Sequence, residues 1–108
     1  MPDAALLVLT SLPDRETAVK LARSLVTGRL AACVNVGASV ESMYHWRGQI
    51  ETATEVPLII KTRRDLYEAV QAAILALHPY ELPEVIAVPV SHGFNRYLDW
   101  IGAETATS

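Results

Sequence analysis

The stretch His78-Pro79-Tyr80-Glu81-Leu82-Pro83-Glu84 gathers more chemically capable groups than any other part of the chain. Its imidazole could ligate a divalent cation, or it could serve structurally by closing a helix or bonding a turn. Two carboxylates held close together can push one pKa up and form an acid–base couple. Here Pro79 and Pro83 stiffen the backbone, so spacing alone does not aim Glu81 and Glu84 at each other. Each could equally accept from backbone donors.

The remaining reactive groups are scattered. His45 and His92 share no helix-face spacing with His78 or with each other, so no metal site is written in the local sequence. Ligands distant in sequence could still meet in the fold or across subunits, but these two histidines read as surface or turn residues. Cys33, the only cysteine, opens an apolar strand and reads as a small buried hydrophobe. A nucleophilic thiol would need a base to lower its pKa, and none stands nearby in sequence. There is neither a phosphate-cradling glycine loop nor a dinucleotide fingerprint. The chain therefore reads as a non-enzyme without an organic cofactor.

A sequence of 108 residues fits one domain, which at this size buries roughly 65% of the unfolded chain's surface. Its residues are 51% hydrophobic, mostly aliphatic, which is ample for a core. A formal charge of -3 with dispersed basic residues argues against nucleic-acid binding and against a polybasic membrane patch. No apolar run approaches the ~20 residues that span a bilayer, and no secretory leader is legible. With a single cysteine, the expectation is a cytoplasmic protein.

The positioning elements follow from periodicity. Residues 4–10 form a short apolar run suited to a strand, stopped by Leu12-Pro13-Asp14. Asp14 is placed to cap a helix carrying Ala18, Leu21, Ala22, Leu25 and Val26, with Gly28 expected as a left-handed stop. Residues 31–62 read as one long β-hairpin, bent near Gly37-Ala38-Ser39 and turning at Arg47-Gly48. Thr62 and Asp65 resemble a capping box before a helix bearing Leu66, Val70, Ala73, Ile74 and Leu77, which Pro79 ends. Residues 85–90 read as a strand, with Pro89 at an edge or an end. Asn95 is expected to cap a short helix carrying Phe94, Tyr97, Leu98 and Ile101, and residues 103–108 to fray.

The order β-α-β-β-α-β gives an α+β, ferredoxin-like antiparallel sheet with two helices on one face and a short C-terminal helix. RNA-recognition domains share that order but need exposed aromatics on two central strands. The first and last strands here have none. So long a hairpin cannot be covered by one small domain, so its protruding part stays in solvent or pairs with another chain. Tyr44 and Trp46, near its tip, are then candidate interface residues.

Taken together, Leu30-Ala31-Ala32-Cys33-Val34-Asn35, Ser42-Met43-Tyr44-His45-Trp46-Arg47-Gly48-Gln49-Ile50, Glu55, Ile60-Lys61-Thr62, the block at 78–84 and Tyr97-Leu98-Asp99-Trp100 resemble the CutA family of divalent-cation tolerance proteins, in order and spacing over nearly the whole chain. The resemblance implies a PII-like homotrimer whose long hairpin strands pair between neighbours. It also implies weak binding of Cu(II) or another divalent cation, with His78, Glu81 and Glu84 as candidate ligands and Tyr44 and Trp46 at the trimer interface. A further expectation is that Lys61, Tyr80, Glu84, Tyr97 and Trp100 line an inter-subunit cleft that takes a small molecule or partner, as in a PII-like regulator. Some copper-binding relatives carry a cysteine where this chain has Thr10 and a histidine where it has Leu77. Without that thiolate and second imidazole, a poorer metal site is expected.

Overall fold

Alternation along the first strand decides which side of the sheet becomes the core. In a computed structural model describing residues 5–105, β1 (Ala5–Leu12) turns Leu6, Val8, Thr10 and Leu12 inward, all essentially buried. Asp14 then caps α1 (Arg15–Thr27), accepting from the Thr17 amide at 2.7 Å, and that bond lowers the pKa of its carboxyl. Ala18, Leu21 and Leu25 form the buried stripe of α1.

The helix stop differs from expectation. Gly28 has an ordinary φ of -81°, and it is Arg29 that takes the left-handed conformation at φ 60°. The Leu30 amide reaches back to the Leu25 carbonyl at 2.9 Å, closing the αL stop one residue later than the glycine suggested.

The hairpin is present, but its first arm is broken into two strands. β2 (Cys33–Val36) and β3 (Val40–Trp46) both pair antiparallel with the fifteen-residue β4 (Gln49–Arg63). The break follows Gly37, whose amide bonds the Pro57 carbonyl at 2.9 Å. A Cβ at that glycine would stand 3.0 Å from Pro57 Cγ, so any larger residue would have to push the proline ring aside by a few tenths of an ångström. Arg47 and Gly48 both have positive φ, 51° and 79°, as a two-residue turn matched to strand twist requires.

Beyond β4 the sequence reading fails at the next helix start. Thr62 lies within the strand, and its hydroxyl donates to the Leu30 carbonyl at 2.6 Å. A 3-10 turn (Arg64–Leu66) leads into α2 (Tyr67–Leu77), whose N-cap, Leu66, has no capping side chain. The chain leaves α2 at His78 in extended geometry before Pro79, as a residue preceding proline must. β5 (Ile86–Pro89) ends on its proline, and α3 (Asn95–Glu104) follows. Asn95 is the first helical residue rather than the cap; that position belongs to Phe94. Nor does the chain fray at 103: α3 runs through Glu104, and Thr105 is buried, donating to the Ile101 carbonyl at 2.9 Å. The remainder of that expected tail lies outside the described residues.

The sheet order is β2-β4-β1-β5 with every pairing antiparallel, and β3 extends β4 outward. Val8, Leu12, Leu21, Leu25, Val56, Leu58, Ile60, Val70 and Ile74 make one core between the sheet and the α1–α2 layer. Ala5 lies on the opposite face with Leu98 and Ile101 of α3. The rest of that face, Leu7 and Leu9 beside Ile59, Ile86 and Val88, carries no helix among the described residues, and the last three are 41–52% exposed. The hairpin draws the chain out to 45 × 26 × 23 Å.

Candidate functional site

His78 sits where α2 hands the chain to the proline-stiffened loop, and only 8% of it is exposed. Its Nε2 lies 2.6 Å from the Ser11 carbonyl, which can only accept, so this nitrogen carries the proton. Its Nδ1 accepts from the Tyr80 amide at 3.2 Å. Both ring nitrogens are thus committed to backbone. The side chain pins the end of β1 to the loop, and the Tyr80 ring tilts against the imidazole at 4.7 Å.

That anchoring sets the far wall of a cleft. Strand alternation puts Ser42, Tyr44 and Trp46 of β3 on one face of the hairpin, with Ala53 and Glu55 of β4 beside them. The loop presents Tyr80, Glu81, Leu82 and Glu84 across from them, and the open cleft between is about 670 Å³. Ser11 and His45 also contribute to its lining. Glu55 is fixed from the hairpin side by the Ser42 hydroxyl at 2.7 Å. The Tyr80 phenol lies near the same carboxylate from the loop side. Burial, then its interaction with the Glu55 carboxylate, push the Tyr80 phenol up to about 12. At the mouth, Arg47 bonds Glu81 at 2.8 Å and lies 5.2 Å from the centre of the Trp46 ring. Both ends of the Arg47–Glu81 pair are 70% exposed, so it contributes little to stability.

The residues expected to form one cleft fall in two places within the chain. Tyr80 and Glu84 line the cavity. Lys61, Tyr97 and Trp100 cluster instead on the sheet face under α3: the Lys61 ammonium is 5.8 Å from the Tyr97 ring, which stacks on Trp100 at 5.5 Å. Tyr44 and Trp46, expected at a subunit interface, line the cavity of their own chain. Ser42 and Glu55 are the site residues that reasoning from the sequence assigned to no site. Their signal in the sequence was their place among the residues that carry the family resemblance.

As a metal centre the candidate donors fit poorly within one chain. His78 has no free ring nitrogen, and Glu81 is paired with Arg47. Among the described residues no three His, Cys, Asp or Glu side chains come together as a metal-holding group. Cys33 is half-buried and stands in register with Lys61, away from the three histidines. Among the described residues no helix is long and apolar enough to cross a membrane.

Comparison with known proteins agrees with this geometry. The family model described as CutA1 divalent ion tolerance protein matches residues 6–104. Protein CutA, chloroplastic, of Arabidopsis thaliana is 43% identical over 94% of this chain, which spans 56% of that protein's length. The divalent-cation tolerance protein CutA of Thermus thermophilus is 39% identical over 91% of this chain and 95% of its own. The crystal structure of CutA from Xylella fastidiosa superposes with a TM-score of 0.92 at 44% identity, covering 95% of this chain and 99% of that one.

Proposed function

The chain belongs to the CutA1 divalent ion tolerance family, and from that premise we propose that it works as a homotrimer, without catalysis, in the response to divalent cations, which it holds weakly. One observation carries the assembly. Ile59, Ile86 and Val88 make an aliphatic face beside Leu7 and Leu9 that no element among the described residues covers, reaching out to the edge strand β5. A flat apolar face adjoining an unpaired edge is stabilised when a second copy buries it. Weak cation binding is consistent with the donors: an imidazole already bonded twice and two carboxylates on an exposed loop. Copper, which favours imidazole and thiolate, would meet at this loop only the doubly bonded His78 ring and no thiol.

Light scattering and Cu(II) calorimetry on the purified protein test this together. A trimer is expected for the parent and a smaller species for Ile59→Glu, with weak Cu(II) binding that His78→Ala leaves unchanged. A monomeric parent, or a tight site abolished by His78→Ala, would overturn the reading.

The cavity favours a second reading, in which the protein is a PII-like regulator that holds a small molecule between hairpin and loop. Its volume lies within the range of small-molecule sites, about 300–1,000 Å³.

A further inference from the structure

We propose that this cleft takes a small aliphatic di- or polyamine, an inference that rests on the small-molecule reading of the cavity. Size comes first. A bare divalent ion needs several oxygen or nitrogen donors within about 2.0–2.6 Å, whereas the cavity is about 670 Å³ and gathers no such group. It suits an extended organic molecule.

Charge comes second. Glu55, Glu81 and Glu84 line the cavity, and no lysine or arginine does. Arg47, outside the lining, pairs with Glu81 at the mouth. Glu55 on the hairpin wall and Glu84 on the loop wall remain as two separated negative charges. Glu55 is oriented by the Ser42 hydroxyl at 2.7 Å, which leaves its second carboxylate oxygen for a cation. An anionic metabolite would meet repulsion from both walls.

The walls themselves come third. Tyr44, Trp46 and Tyr80 add aromatic surface to the same lining. Aromatic faces attract alkylammonium and guanidinium groups and pack well against methylene chains. The protein already uses this combination once: its own Arg47 guanidinium lies over Trp46 and bonds Glu81. A ligand with two ammonium groups on a methylene spacer would repeat that arrangement deeper in, one charge at Glu55 and one at Glu84, its spacer along the rings.

Spermidine is the probe, titrated into the full chain at low ionic strength in a Trp100→Phe background, where Trp46 is the only remaining tryptophan fluorophore. A saturable change in Trp46 emission is expected, with affinity falling about two- to fivefold in Glu84→Gln and about two- to fivefold in Tyr44→Leu. Glu84 lies on the exposed loop, so its variant tests the site even if Glu55→Gln, which weakens the hydrogen bond from Ser42, fails to fold. MgCl2 at matched ionic strength is expected to leave Trp46 unchanged. Equal responses to MgCl2 and spermidine, or spermidine binding indifferent to Glu84→Gln, would overturn the amine assignment. A response to sodium 2-oxoglutarate but not to spermidine would also overturn it while leaving a small-molecule cleft. Silence to both would remove the cleft reading as well.

Discussion

Replacing His78 with alanine should destabilise the fold more than it alters any cation binding. The ring makes two hydrogen bonds to backbone, at 2.6 Å to the Ser11 carbonyl and at 3.2 Å from the Tyr80 amide, in a setting 8% exposed. Each such bond contributes about 1 kcal/mol net, and each backbone group left buried without a partner costs about 1–3 kcal/mol. Partial access of water to the loop lowers that sum, and lost packing against Tyr80 raises it, so His78→Ala should cost about 2–4 kcal/mol. Urea unfolding followed by circular dichroism, at one fixed protein concentration, measures this as a lower midpoint with an unchanged slope.

The two bonds can also be separated. A glutamine amide can occupy the place of Nε2–H and donate to Ser11, but it presents nothing to the Tyr80 amide. An asparagine oxygen can do the reverse. Each should recover about 1 kcal/mol of the loss. If His78→Ala costs under about 0.5 kcal/mol, or if neither amide variant improves on alanine, the tie between strand end and loop is not what holds the cleft wall.

Two further outcomes follow from buried hydroxyls. Thr62 donates to the Leu30 carbonyl at 2.6 Å, whereas the buried Thr10 hydroxyl has no partner among the described residues. Thr62→Val should therefore cost about 1–2 kcal/mol, while Thr10→Val should be neutral or stabilising by up to about 1 kcal/mol, both read from urea midpoints. Among the four tyrosines, near-ultraviolet titration should find one phenol ionising near pH 12, moved back toward 10 by Glu55→Gln. Because the folded value lies above the unfolded value of about 10, its contribution to stability is full below pH ~10 and is lost as pH rises toward ~12. A Tyr80 that ionises near 10 in the parent would refute the link to Glu55.

The elements set by local chemistry were legible before the fold was seen. Asp14 before an apolar 3.6-residue rhythm, Arg47-Gly48 between alternating arms and Pro79 after Leu77 each act within a few residues, and each falls where expected. What tertiary contact decides was not legible. Thr62 looked like a cap, but the Leu30 carbonyl, brought beside it by the sheet, takes its hydroxyl. Gly28 looked like the left-handed stop, but the turn closes on Arg29, whose side chain also reaches the Glu104 carbonyl at 3.3 Å.

The site divided along the same line. The block at 78–84 was found because its residue types are concentrated in sequence. The split of Tyr80 and Glu84 from Lys61, Tyr97 and Trp100 depends on which sheet face each element covers, and α3 lies opposite α1 and α2. Glu55 and Ser42 acquire meaning only when the loop folds over the hairpin. The imidazole that looked like a ligand is engaged by two backbone groups that spacing could not reveal.

The strand β4 has a consequence for how the chain finds its fold. Its outer half meets β3 across a two-residue turn, so that ribbon closes a very short loop and can zip on the microsecond scale. Its inner half must find β1 across an intervening helix, joining Leu12 to Val56 and Ala5 to Arg63, and it pays a much larger loop-closure entropy first. The boundary lies at Pro57, where Gly37 docks. One continuous strand therefore carries both the most local pairing of the sheet and one of its long-range pairings. A lesion on its outer half should chiefly alter the nascent ribbon, and one on its inner half the slow closing step.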